Sequence, residues 1–114
     1  MAKPNDFDFY CDEVLSGKTS VKKLYESKKV IAFHHTKPSF ATHIIIIPKE
    51  HIHDLTYLKD RHKPLLLEII KVTKKLLKKI GLEKGGARLV TNIGKYQESP
   101  HLHFHLISGK QIKT

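Results

Sequence analysis

The sequence predicts an α+β domain: a largely antiparallel sheet with one long helix and a short N-terminal helix. Three observations carry the prediction. Apolar residues recur at helical spacing from His62 to Ile80, the one long stretch in which they do so. Elsewhere, short runs rich in β-branched and aromatic residues alternate with turn residues, the pattern of strands. At 114 residues the chain can bury one core but not two, so residues 1–114 read as a single domain with one site.

The first few residues are polar and expected to be loose. Asp8 to Ser16 is the short helix, with Val14 and Leu15 as its apolar patch and Gly17 just past its end. LYESKKVIAFHH gives two strands, Lys23 to Glu26 and Val30 to His34, around a lysine-bearing turn. Pro38 forces a loop through HTKPSFAT. His43 then opens a strand of four isoleucines, Ile44 to Ile47, which needs cover on both faces and ends at Pro48. Asp54 is placed to cap a turn over Leu55 to Leu58. Along the long helix Leu66, Ile69, Ile70, Thr73, Leu76, Leu77 and Ile80 form the apolar stripe. Lys71, Lys74, Lys75, Lys78 and Lys79 form a solvated face, and Gly81 is the stop. ARLVTN and HLHFHLIS are the last strands, joined by the loop NIGKYQESP.

Lys and Arg outnumber Asp and Glu by 21 to 11, and only Arg61 and Arg88 are arginine. A positive surface gathers anionic ligands through its long-range field. Bidentate contacts to nucleic acid favour arginine, so neither nucleic acid nor a membrane is expected as a partner. The longest aliphatic run, Ile44 to Ile47, falls far short of the roughly 20 residues that span a bilayer. MAKPNDFDFY has no apolar stretch of signal-peptide length. Cys11, the only cysteine, allows no intrachain disulfide and no cysteine-rich zinc site. A cytoplasmic protein without a metal or cofactor is the expectation.

HLHFHLI, residues 101 to 107, places a histidine at every second position. On a strand, His101, His103 and His105 would line one face about 6.5–7 Å apart, with Leu102, Phe104 and Leu106 on the other. Three readings fit the spacing: converging zinc ligands, satisfied polar residues on a half-wet sheet, or one nucleophilic imidazole oriented by its neighbours. The last requires one ring nitrogen pinned by a hydrogen bond, to a backbone carbonyl, so that the other keeps its lone pair.

This segment resembles the signature of the histidine triad (HIT) family at all seven positions. The resemblance extends over IAFHHTKPSFATHIIIIPKEHI, RLVTNIG, Gln97 four residues before the first triad histidine, and Gly-Lys-Gln at 109 to 111, covering about residues 9 to 112. It implies a HIT-like fold with a meander sheet, and a homodimeric nucleotidyl hydrolase of the small branch resembling histidine triad nucleotide-binding proteins. The implied substrates are purine nucleoside phosphoramidates; dinucleoside polyphosphate hydrolysis and nucleotide binding with little catalysis are the alternatives. His103 would attack phosphorus, His105 would donate to the phosphoryl group, and His101 and His43 would support them. Asn92 and Gln97 would bind phosphate or the leaving group, and Val14 and Phe33 would line the nucleoside cleft.

Three departures from the family stand out. His35 occupies the place of an aspartate that holds ribose hydroxyls, and imidazole has fewer acceptor sites than a carboxylate. Glu98 and Ser99 replace a serine and a valine of the phosphate loop, and a carboxylate there repels phosphate or greets a cationic leaving group. The zinc-binding cysteine pair of many members is reduced to Cys11, so His51 and His53 are read as loop histidines without a metal.

Overall fold

The isoleucine run organises the molecule. Ile44 to Ile47 are all within 1% of complete burial, because successive side chains of a strand point to opposite faces and both faces are covered. The computed structural model describes residues 8–82 and 84–112, so the expected looseness of the first few residues lies outside the described residues. Its strands are β1 (Lys23–Glu26), β2 (Val30–His34), β3 (Phe40–Pro48), β4 (Arg88–Thr91) and β5 (Phe104–Gln111). All pairings are antiparallel. The order is β1-β2-β3-β5-β4, a meander through three strands after which β5 returns between β3 and β4.

One face packs against α1 (Lys63–Lys79): Ala32, Ile44, Ile46 and Leu106 join Leu65, Ile69, Val72 and Leu76 of the helix. The other face, with Ile31, Phe33, Ile45 and Ile47, is covered by Tyr10 and Val14. The cross-strand pairs Ile45↔His105 and His43↔Ile107 put His43 and His105 on this second face, away from α1. Among the described residues no helix is long and apolar enough to cross a membrane.

Several expectations are corrected in detail. The N-terminal helix reduces to one π-helical turn, Tyr10–Val14, started by Asp8 Oδ1 accepting the Tyr10 and Cys11 amides and followed by Gly17 at φ +83°. β3 opens at Phe40 rather than His43, since Phe40 pairs with Gln111. The helix turns a slightly different face inward: Leu65, Ile69, Val72, Thr73 and Leu76 are buried, while Ile70 is 48% exposed. Val72, omitted from the expected stripe, holds the place given to Ile70.

The largest correction concerns the histidine segment. Strand geometry begins only at Phe104, so His101 and His103 precede β5. After Pro100 the chain turns, with the His101 amide bonded to the Ser99 carbonyl at 2.8 Å. The Leu102 amide bonds to the Ile52 carbonyl at 2.6 Å, which ties this segment to a loop instead of a strand. Further along, β5 bulges where Ala41 lies opposite it. Gly109 sits there at φ +82°, where a Cβ would meet that of Ala41 at 2.9 Å.

Ile46→Ala removes a fully buried side chain from the α1 face and is expected to lower unfolding free energy by about 2–5 kcal/mol, whereas Ile70→Ala should stay within about 0.5 kcal/mol. Urea titrations of both variants check the assignment of faces.

Candidate functional site

A chain of hydrogen bonds fixes which nitrogen of each histidine carries its proton. The Ser39 amide donates to His43 Nδ1 at 3.0 Å, so the proton of neutral His43 is on Nε2. That Nε2 lies 2.8 Å from His105 Nδ1 and donates to it, which leaves the His105 proton on Nε2. His103 Nδ1 lies 2.6 Å from the His101 carbonyl, an acceptor only, so Nδ1 donates and the lone pair is on Nε2. The partner is a backbone carbonyl two residues earlier in the chain. The rings of His103 and His105 are 4.9 Å apart, edge to face, and the Tyr10 ring packs 4.9 Å from His103.

Electrostatics agree with the proton placement. Burial lowers His105 to about 3, helped by the charges of His103, His43 and His35, and lowers His43 to about 4, helped by His35. His103 is lowered too, by burial, and Glu98 is close enough to act on it in the opposite direction. The cluster is therefore neutral at pH 7.

A cavity of about 200 Å³ is lined by Ser39, Phe40, His43, Val90, Asn92, His105 and Ile107. It brings Asn92 beside the histidine pair, as the resemblance implies. His35 joins them, its ring centroid 4.3 Å from that of His43 and 6.2 Å from that of His105. Glu98 is exposed, and Ser99 is buried and contributes its carbonyl to the turn before His101.

Three expected ligand contacts are placed differently. The side-chain amide of Gln97 donates to the His53 carbonyl at 2.7 Å instead of facing phosphate. Phe33 is 1% exposed and Val14 7%, both held in the core under Tyr10, which leaves them little surface for a nucleoside. Ser39 and Phe40, unforeseen, supply the amide that orients His43 and a wall of the cavity. No motif marks them, because an amide donor has no side-chain signature.

His101 is fully buried and belongs to a second cluster. Its Nε2 donates to the Pro48 carbonyl at 2.9 Å, which turns Nδ1 toward Asp8 Oδ2 at 3.0 Å and Cys11 Sγ at 3.3 Å. His51 Nδ1 lies 2.6 Å from the same carboxylate oxygen. Burial and the Asp8 carboxylate push the Cys11 thiol up to about 12. Burial would raise Asp8, but hydrogen bonds from His101 and the Cys11 amide hold it below the usual carboxylate range.

With Nε2–H given to Pro48, a neutral His101 faces a carboxylate with a lone pair, and a proton or a cation must lie between them. The ligand atoms of Asp8, Cys11, His51 and His101 all lie within 4.8 Å of one another. One thiol, one carboxylate and two imidazoles form a donor set suited to a tetrahedral divalent cation. The sequence reading considered cysteines as zinc ligands; the aspartate three residues before Cys11 was not weighed there. His35, His43 and His105 also converge, but the protonated Nε2 of His43 has no lone pair to give a metal.

The described residues form a small α+β domain with an oriented imidazole, His103, just before the last strand of an antiparallel sheet. The HIT domain family matches residues 16–112, and the chain belongs to that family. A HIT family hydrolase from Legionella pneumophila superimposes with a TM-score of 0.84 at 34% identity, over 94% of this chain and 96% of that one. A histidine triad nucleotide-binding protein from Candida albicans gives 0.76 at 30% identity, over 88% and 73%. The 14 kDa zinc-binding protein of Zea mays is 35% identical over 105 residues, 89% of this chain and 81% of that protein.

Because the fold keeps His43 and His105 neutral well below the ordinary histidine value near 6.5, the unfolded chain binds protons that the native state refuses. Stability is expected to fall as pH drops from about 6.5 toward 4. Urea midpoints from pH 7.5 to 4.5 should decline, and less steeply in the His43→Asn, His105→Asn double variant.

Proposed function

We propose that the protein is a nucleotidyl hydrolase that cleaves purine nucleoside 5′-phosphoramidates at the α-phosphate. The observation that carries this reading is the hydrogen bond from His103 Nδ1 to the His101 carbonyl, which reserves Nε2 for attack. In the first step Nε2 of His103 forms a bond to phosphorus and the phosphorus–nitrogen bond breaks, its electron pair departing with the nitrogen, which takes up a proton from solvent and leaves as the amine. His105, fixed by His43 and protonated on Nε2, donates to the phosphoryl oxygen where charge gathers. In the second step water attacks phosphorus and gives up a proton to solvent, the bond to His103 breaks with its electron pair returning to Nε2, and the nucleoside monophosphate leaves. Asn92 is placed in the same cavity to bind a phosphoryl oxygen.

Glu98 favours an amine over a polyphosphate as leaving group. Its carboxylate acts electrostatically on His103, so it attracts a departing ammonium and repels a second phosphate chain. A cation held by Asp8, Cys11, His51 and His101 would tie the N-terminal turn to the segment that carries His103 and add rigidity there. The free thiol of Cys11 accords with a cytoplasmic setting.

We further propose that two copies pair through β4. It is an edge strand with Leu89 and Val90 more than a third exposed, and Ile93 beside it is 45% exposed, an apolar edge that a second copy would cover.

Incubation with an adenosine phosphoramidate should release adenosine monophosphate, and a peptide containing His103 should carry a nucleotidyl mass increment after rapid quenching. His103→Ala should reduce kcat/KM by at least ~10³-fold and His105→Asn by ~10²–10³-fold. Full turnover by the His103 variant rejects the mechanism. Sedimentation equilibrium should report a dimer for the natural chain and a monomer for Leu89→Lys.

A further inference from the structure

We propose that Arg88 recognises a carboxylate on the leaving group, which makes the substrate class nucleoside 5′-phosphoramidates of amino acids. The inference rests on the hydrolase reading above and deepens it.

A second cavity, of about 370 Å³, continues from the one beside the histidine pair, and Phe40 and Ile107 line both. The pairing of β4 with β5 fixes what stands along its floor. Val90 lies opposite His105 and Arg88 opposite Ile107, and directly paired residues share a face of the sheet. Arg88 therefore projects from the face that carries His105, one step of roughly 6.5–7 Å beyond Val90 in the direction away from Asn92. Gly85, Gly86 and Gly109 border the same cavity, so backbone rather than side chains surrounds Arg88 and leaves space over it. The Ser108 hydroxyl donates to the Gly86 carbonyl at 2.8 Å and holds the loop before β4 against β5.

This cavity lies where the leaving group must go. In-line displacement sends the leaving atom away from the attacking nitrogen. From His103, past His105, that direction is the one β5 takes toward Ile107. The departing group thus comes to lie over Ile107 with Arg88 at its side. Pairing of two copies through β4 would engage backbone groups at the margin of the sheet and leave Arg88 on its face.

The charge there has one sign. Arg88 is the one lysine or arginine that lines either cavity, and among the described residues no aspartate or glutamate does so. Its guanidinium makes no ion pair among the described residues, whereas Glu50 holds the chain's other arginine, Arg61, at 2.7 Å. A planar guanidinium matches the two oxygens of a carboxylate, as the ammonium of a lysine does not. An amine that also bears a carboxylate is an amino acid. The Glu98 carboxylate near His103 disfavours the heavier charge of a phosphate in the same place.

The test compares turnover of three adenosine 5′-phosphoramidates by the full chain, with β-alanine, propylamine and 2-aminoethyl phosphate as the leaving amines. The β-alanine conjugate should exceed the propylamine conjugate in kcat/KM by about tenfold, and the aminoethyl phosphate conjugate should gain less. Arg88→Gln should bring the ratio of β-alanine to propylamine turnover to about one, and Arg88→Glu should invert it. A merely structural role for Arg88 would lower both conjugates together and leave the ratio in place, which overturns the inference. Equal turnover of the β-alanine and propylamine conjugates by the natural chain overturns this inference alone, and so does a gain confined to the phosphate. No turnover of any conjugate, together with no adduct on His103, overturns the hydrolase reading and this inference with it.

Discussion

The hydrogen bond from His103 Nδ1 to the carbonyl of His101 is the constraint on which the site depends. An imidazole has two nitrogens and, when neutral, one proton, so an acceptor placed beside one nitrogen decides the chemistry of the other. The acceptor here belongs to a residue two positions earlier, and it is rigid because His101 is itself clamped between Pro48 and Asp8. The Thr91 hydroxyl bonds the His103 carbonyl at 2.7 Å and the Leu102 amide reaches Ile52. The backbone on either side of His103 is therefore held by three different parts of the fold. Catalytic geometry of this kind is a product of the whole core, and the isoleucine strand supplies the sheet on which the clamps converge.

The sequence made much of the fold legible where residue type and periodicity agree. Four β-branched residues in a row could only be a doubly covered strand, and the long helix appears within one residue of its expected ends. The site was harder to read. Alternation at 101 to 105 imitates a strand, yet Pro100 and the turn at Ser99 delay strand geometry until Phe104. Gln97 was legible as a donor but not in its target, because that target is a backbone carbonyl in a loop 44 residues away. Ser39 acts through its amide, which every residue but proline possesses. The Asp8 cluster escaped because a carboxylate in a metal set is too common a residue to signal by itself.

Two groups of histidines with different work lie side by side. Those on the sheet rim, His43 and His105, are joined by a hydrogen bond in a line that begins at the Ser39 amide. His101 instead faces a carboxylate, a thiol and a second imidazole on the far side of the nucleophile. His103 stands between them, taking its orientation from the His101 carbonyl and packing its ring 4.9 Å from that of His105. Glu98 and His35 sit at the edges, Glu98 exposed and the His35 ring 4.3 Å from that of His43.

The position of β5 between β3 and β4 has a consequence for how the protein is made. A growing chain has both neighbours of that strand in place before the strand itself exists, with no partner for the ladder edges that face each other across the gap. Only the late insertion of β5, a pairing between segments distant along the polypeptide, closes the sheet and delivers His105 beside His43. Until then the nascent polypeptide is inert and exposes unpaired backbone to aggregation or chaperone capture. The meeting of His43 with His105 and escape from that hazard arrive in one event.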